Sequence, residues 1–165
     1  MPASRSETIG SVLRFVNLLF CGLLAGVVLT HALEWPGKLV LTGDQWLAVQ
    51  HHLYGGYATF GAVAELLTLV LNLVLGVWLL LRRRPRGWVF LGAAALVAAM
   101  LAIFAFGLQP INLRVSTFTA RTLPADWRLL LDRWSTYHTI SFCLALAAFA
   151  VLLMEALRRA RRPAH

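Results

Sequence analysis

Four long apolar blocks, at about 11–33, 57–81, 87–108 and 136–157, constrain this chain more than any other feature. A helix needs roughly 20 residues to cross the hydrocarbon core of a bilayer, and each block supplies that length. The blocks are rich in Leu, Ala and Val and lack the period-two alternation of a membrane barrel strand. They predict an all-α fold, an integral membrane four-helix bundle of up-down topology in a single domain over residues 1–165. Its helices are expected over about 11–33, 45–83 (with an extramembrane extension), 87–108 and 134–158. Composition agrees, with 59% of residues hydrophobic, 13% charged and a mean hydropathy of +0.72, far from an ordinary soluble domain. The first block reads as a retained helix, because its run is longer than a signal-peptide core and no small-x-small cleavage site precedes Trp35.

The arginines set the expected orientation. "RRRPRG" (82–87) joins blocks two and three, "RRARRPAH" (158–165) follows block four, and Arg5 and Arg14 flank block one. The positive-inside rule puts these edges, and both termini, on the cytoplasmic side of what is expected to be a bacterial inner membrane. Segments 34–56 and 109–135 then face outward, although the latter carries Arg114, Arg121, Arg128 and Arg133. The net charge of +8 is thus a topology signal, with acidic lipid headgroups rather than nucleic acid as its partner. Cys21 and Cys143 both sit inside apolar blocks and read as small packing residues.

Polar residues inside such blocks need a reason. Stepping outward at ~1.5 Å per residue from Arg14, Arg82 and Arg158 brings His31, Glu65 and His138 to similar heights near the outer hydrocarbon boundary. Gln109 and Asn112 are expected just beyond the third helix. His51, Tyr54, Ala58, Gly61, Glu65 and Asn72 share one stripe, in a segment that can be helical from a cap at Asp44. His52 lies ~100° away, which makes His51 the better interior candidate. Arg14, Asn17, Cys21, Leu24, Val28 and His31 form a matching stripe on the first helix.

An ionisable side chain in hydrocarbon is costly without a partner or water, so Glu65 is a functional candidate. Imidazoles and carboxylates also ligate transition metals, and His31-x-x-Glu34 puts two donors on one helix face. The expected metal ligands are His31, His51, His52, His138, Glu34 and Glu65, around copper or iron. Haem, or no cofactor at all, stays open. Each residue also has a plainer role: His31 and Glu34 meeting headgroups, His51 and His52 solvated, Glu65 bonded to Asn17 or Tyr57 as helix glue, His138 as an interfacial anchor. His165 is terminal and expected to be uninvolved. Trp35, Trp46, Trp127 and Trp134 read as an outer aromatic belt, and Trp78 and Trp88 flank the inner side.

The segment "QPINLRVSTFTARTLPADWRLLLDRWSTYHTISFCLALAAFAVLLMEAL" (109–157) carries Asn112, then Pro124-x-Asp126-Trp127, Arg133-Trp134 and His138. In that order it resembles the C-terminal half of the anthrone-oxygenase-like family of small membrane proteins. "NLLFCGLLAG" (17–26) and "WLAVQHHLYGGY" (46–57) are similar to the family more loosely. An Arg that often follows the family's helix-four His is absent here, where the sequence reads His138-Thr139-Ile140-Ser141. The resemblance implies a four-helix bundle and oxygen-dependent oxidation of a small hydrophobic, aromatic substrate. Without a cofactor, Glu65 or a histidine would remove a proton while Tyr54 or Asn112 holds the oxyanion. A haem- or quinone-binding redox protein and a non-catalytic accessory subunit remain the alternatives, and homo-oligomerisation is left open.

Overall fold

A computed structural model describes residues 5–161, with side chains from Thr8 onward; His165 lies outside this range. All regular structure among these residues is helical. Helix α1 runs Arg5–Leu33, and a single turn α2 (Trp35–Lys38) follows it with Pro36 in its first turn, where a missing N–H is tolerated. Next come α3 (Gly43–His52), α4 (Tyr54–Leu81) and α5 (Gly87–Ile103). A π-helical turn (Phe104–Leu108) leads from α5 into α6 (Gln109–Val115), and α7 spans Trp127–Ala160. Four stretches are long and apolar enough to cross a membrane: Thr8–Lys38, Tyr54–Leu81, Gly87–Val115 and Trp127–Ala160. The chain is an all-α four-helix bundle of the integral, multi-pass type.

In the bundle, α1 packs on α4 and α7, and α5 packs on the same two helices. One end gathers the arginines: Arg86 Nη1 lies 3.6 Å from Glu155 Oε1, and Arg159 reaches Ser11 Oγ at 3.4 Å. There α4 and α5 approach closely, because a Cβ on Gly87 would lie 2.6 Å from the Gly76 carbonyl oxygen. Such contacts between small residues let backbones close where no hydrophobic force separates helix from lipid. Above this crossing the interior is mainly apolar, from Leu75, Phe90 and Ala148 to Leu24, Ala64 and Ala145, with a buried Asn17–Asn72 hydrogen bond within it.

Several boundaries differ from those expected. The segment read as continuous over 45–83 is broken at Leu53, and α3 is capped by Thr42 rather than Asp44. Thr42 Oγ1 accepts from the Gln45 N–H while Gln45 Oε1 accepts from the Thr42 N–H, a reciprocal cap. Helix α7 begins at Trp127, a turn and more before residue 134. The third span does not end at 108, so Gln109 and Asn112 are helical. Pro110 explains the π turn: its ring would clash with the carbonyl four residues back, and widening the ladder, with Gln109 N–H bonded to Phe104 O, carries the helix past it.

The end opposite the arginines is not a simple belt of tryptophans. Trp46 and Trp134 are only 0% and 3% exposed. Helix α3 lays Trp46 and Leu47 against Ile111, Val115 and Leu131, forming a cap over the bundle, and Trp46 stacks on Trp127 at 5.2 Å. Arg128 fastens the preceding loop by donating to the Leu39 and Leu41 carbonyls at 3.1 and 3.5 Å.

Candidate functional site

Under this cap the end of the first span folds its polar residues inward. The helical course continues through Glu34, whose carbonyl accepts from the Lys38 N–H at 3.0 Å, and so puts Lys38 one turn beyond Glu34 on the same face. Lys38 is the chain's only lysine, and it is 3% exposed. Its ammonium sits 2.8 Å from Glu34 Oε2, 4.2 Å from the centre of the Trp134 ring and 4.9 Å from that of Tyr54. A buried charge is sustained by close pairing, and here one carboxylate and two π faces supply it. The Tyr54 hydroxyl donates to the same Glu34 oxygen at 2.7 Å, and His31 Nδ1 lies 3.5 Å from it.

Around this ion pair the rings close into a cluster. His31 and His138 have centroids 4.1 Å apart, and Trp134 packs 4.1 Å from His138 and 4.9 Å from His31. Tyr54 meets His31 edge-on at 5.0 Å, with Tyr57 at 5.7 Å. Trp134 Nε1 donates to Asn112 Oδ1 at 3.0 Å, which ties α7 to α6.

The rings form the wall of a cavity of about 660 Å³ that reaches from Gln50, His51 and Asn112 at the cap to Leu24, Met100 and Glu65 deep in the bundle. Its lining is mostly apolar, with few polar groups, the usual make-up of a small-molecule pocket. On α4 the residues from Gly55 to Phe60 are all exposed, and a Cβ on Gly55 or Gly56 would meet nothing within 4 Å. The cavity thus has a side wall of small residues against the surrounding lipid.

Of the residues singled out in the sequence, His31, Glu34, Tyr54 and His138 come together, and Asn112 joins them through Trp134. His51 does not complete the group: it lies at the rim, exposed, with Nε2 3.2 Å from the Val115 carbonyl oxygen. His52 is exposed and outside the cavity lining. Glu65 lines the far end of the cavity, eight residues past Tyr57 and so about 12 Å further along α4. The equal-height expectation holds for His31 and His138, whose rings meet, and fails for Glu65 because Arg14 is not a helix end: α1 runs on to Arg5, and Asn17 pairs with Asn72, well inside Arg82. Lys38 and Trp134 were missed as site residues. For Lys38 the signals were a Glu-to-Lys spacing of four and a lone lysine on the side opposite the main arginine clusters; for Trp134 the signal was its place four residues before His138 on one helix face.

Among the described residues no three or more His, Cys, Asp or Glu side chains are placed to share a metal ion. His31 and His138 supply two imidazoles, half of a tetrahedral set. Glu34, the nearest further donor, is held by Lys38 and Tyr54. The two rings are in van der Waals contact, which leaves no room for a haem iron between them. What the arrangement offers as it stands is a pair of imidazoles open to an apolar cavity and backed by a buried ion pair. No family model, curated protein or solved structure matches the chain.

Proposed function

We propose that this protein is a membrane-embedded, oxygenase-like enzyme that takes a small, flat, hydrophobic substrate from the bilayer and oxidises it with molecular oxygen without a resident cofactor. The observation that carries this reading is the His31–His138 pair on the cavity wall, joined to Glu34, Lys38 and Tyr54. A ring ketone with an acidic neighbouring C–H fits the apolar, aromatic-walled space. One imidazole takes the C–H proton, and the side-chain amide N–H of Asn112, which lines the cavity with its oxygen held by Trp134, donates to the enolate that forms. The enolate carbon then gives its electrons to oxygen. One oxygen atom stays on carbon and the other leaves as water, so that a CH₂ group and O₂ become C=O and H₂O.

In this reading the arginine-rich end faces the cytoplasm and the site lies in the outer half of a bacterial inner membrane, with substrate entering beside Gly55–Ala58. The resemblance of residues 109–157 to the anthrone-oxygenase-like family supports the same chemistry. A second reading, a site for iron or copper, is favoured by the two adjacent imidazoles from different helices.

Oxygen uptake by the purified full chain in lipid, with an anthrone-type ketone, tests both. We expect one oxygen consumed per substrate, no stoichiometric metal by elemental analysis, and a loss of about 100-fold or more in His138→Ala and His31→Ala. Stoichiometric iron or copper that disappears in those variants establishes the metal reading instead. Wild-type uptake in both variants removes the imidazole pair from the chemistry.

A further inference from the structure

The arginine-rich end holds a second cavity, of about 300 Å³, at the other end of the bundle from the aromatic cluster. Arg84, Arg86 and Val89 line it from the α4–α5 turn and the start of α5, and Glu155, Arg158 and Arg159 from the end of α7. Orientation in a membrane requires arginines at this end, but it does not require that they surround a space. Two of the four guanidiniums are engaged: Arg86 lies 3.6 Å from Glu155 Oε1, which fixes the turn against α7, and Arg159 donates to Ser11 Oγ at 3.4 Å. The side chains of Arg84 and Arg158 have no hydrogen bond or ion pair among the described residues. Glu155 is the one acid in the lining, so the space is strongly positive, and the N-terminal end of α5 adds its dipole. Guanidiniums hold phosphate through paired N–H···O bonds, and two free ones from different elements on one cavity are a phosphate-binding arrangement.

The surroundings of the cavity select the source of that phosphate. Val151, Met154 and Arg158 follow one another at spacings of three and four on one stripe of α7, and Val151 and Met154 are 41% and 50% exposed. On α5, Gly92 stands one turn further into the span than Val89; it is exposed, and a Cβ there would meet nothing within 4 Å. In a bilayer these surfaces face acyl chains. A phosphate held by Arg84 and Arg158 therefore has apolar surface next to it on both helices, which a lipid covers and a free phosphate leaves bare.

We infer that this cavity is a binding site for the phosphodiester headgroup of an anionic phospholipid. Arg84 and Arg158 hold the phosphate, and the acyl chains lie along Val89 and Gly92 of α5 and Val151 and Met154 of α7. A lipid bound in this way joins the α4–α5 turn to the end of α7. A choline or ethanolamine headgroup would bring an ammonium among four guanidiniums, so the site prefers a headgroup that carries no cation. The site shares no residue with the imidazole pair or its cavity and stands or falls apart from the oxygenase reading.

Native mass spectrometry of the full chain, stripped of lipid in detergent and titrated with single lipids, tests it. Phosphatidylglycerol should form a one-lipid complex about tenfold or more tighter than phosphatidylcholine does. Arg84→Gln together with Arg158→Gln should weaken that complex about tenfold or more. Arg83→Gln together with Arg161→Gln removes the same charge from exposed positions at this end but outside the lining, and should stay within about threefold of wild type. Equal losses in the two double variants would make the attraction diffuse rather than seated in the cavity, and that overturns the proposal. So does wild-type binding in Arg84→Gln with Arg158→Gln, or equal binding of the two lipids. Inorganic phosphate in large molar excess should leave the complex intact; loss of the bound lipid would make the ligand a soluble phosphate and overturn the lipid assignment.

Discussion

His31 of α1 and His138 of α7 meet with ring centroids 4.1 Å apart, and Trp134, one turn before His138 on α7, packs against both. Trp134 also bonds Asn112 and lies under the Lys38 ammonium. The same indole therefore fixes the two imidazoles, the buried cation and the end of the third span. Trp134→Phe keeps much of the ring packing but frees Asn112. We expect that variant to insert and fold, with a melting temperature a few degrees lower and weaker retention of a hydrophobic probe in the cavity. Unchanged probe binding would mean that the Asn112 link does not shape the pocket.

Lys38→Ala leaves Glu34 half-buried beside the His31 imidazole with no ammonium. Removing one partner of a buried ion pair costs ~3–5 kcal/mol, and the partial exposure of Glu34 brings the expectation down to about 2–3 kcal/mol. Lys38→Arg should rescue it only in part, because the longer and broader guanidinium has to fit the closed space that the ammonium fills beside the Trp134 and Tyr54 rings. Thermal unfolding in detergent reads the difference, and a Lys38→Ala protein that melts with the wild type would show the pair to be incidental.

Gly87→Ala drives a methyl group into the Gly76 carbonyl and Leu80, with backbone on one side of the clash. Overpacking of this kind costs ~1–3 kcal/mol. Gly92→Ala, where a Cβ meets nothing within 4 Å, serves as the control and should be neutral. Equal stability of the two variants in an unfolding titration would count against a close α4–α5 crossing.

Glu65→Gln should leave membrane insertion, thermal stability and oxygen uptake within a few-fold of wild type, since a neutral amide is tolerated in an apolar helix and Glu65 lines the cavity about 12 Å along α4 from Tyr57. A loss of about 100-fold or more in uptake would bring Glu65, rather than the imidazole pair alone, into the proton transfer.

Gly37 and Thr117 lie at the capped end and are exposed. Cysteines placed there, in a Cys143→Ser background, should react with an impermeant thiol reagent added outside intact cells, while tags on both termini stay protected. The reverse pattern would turn the bundle over and move the site to the cytoplasmic half.

The spans were legible because their signal is additive: twenty apolar residues outweigh any local exception. His31, Tyr54 and His138 were legible through helical spacing and depth. Lys38 was not, because a lysine at a span end normally snorkels to water, and only the extra turn of α2 carries this one back under the rings. Trp46 and Trp134 failed for a related reason. A tryptophan in a belt and one in a core have the same neighbours in sequence, and the difference arises when α3 folds over the end of the bundle. The misjudged height of Glu65 shows that arginines mark membrane edges only coarsely, since one long side chain can start two turns inside a helix.

The π turn at Phe104–Leu108 holds one residue more than an α-helix needs to reach the same height. Deleting Ala105 would let the ladder run on as an ordinary helix and rotate Gln109–Val115 by about 100°, swinging Asn112 away from Trp134. The lower bundle and its passage through the membrane would survive that loss, and only the upper wall of the cavity would go. A lineage could therefore gain or shed this pocket by a single-codon insertion or deletion, with little change in the hydropathy profile of the chain.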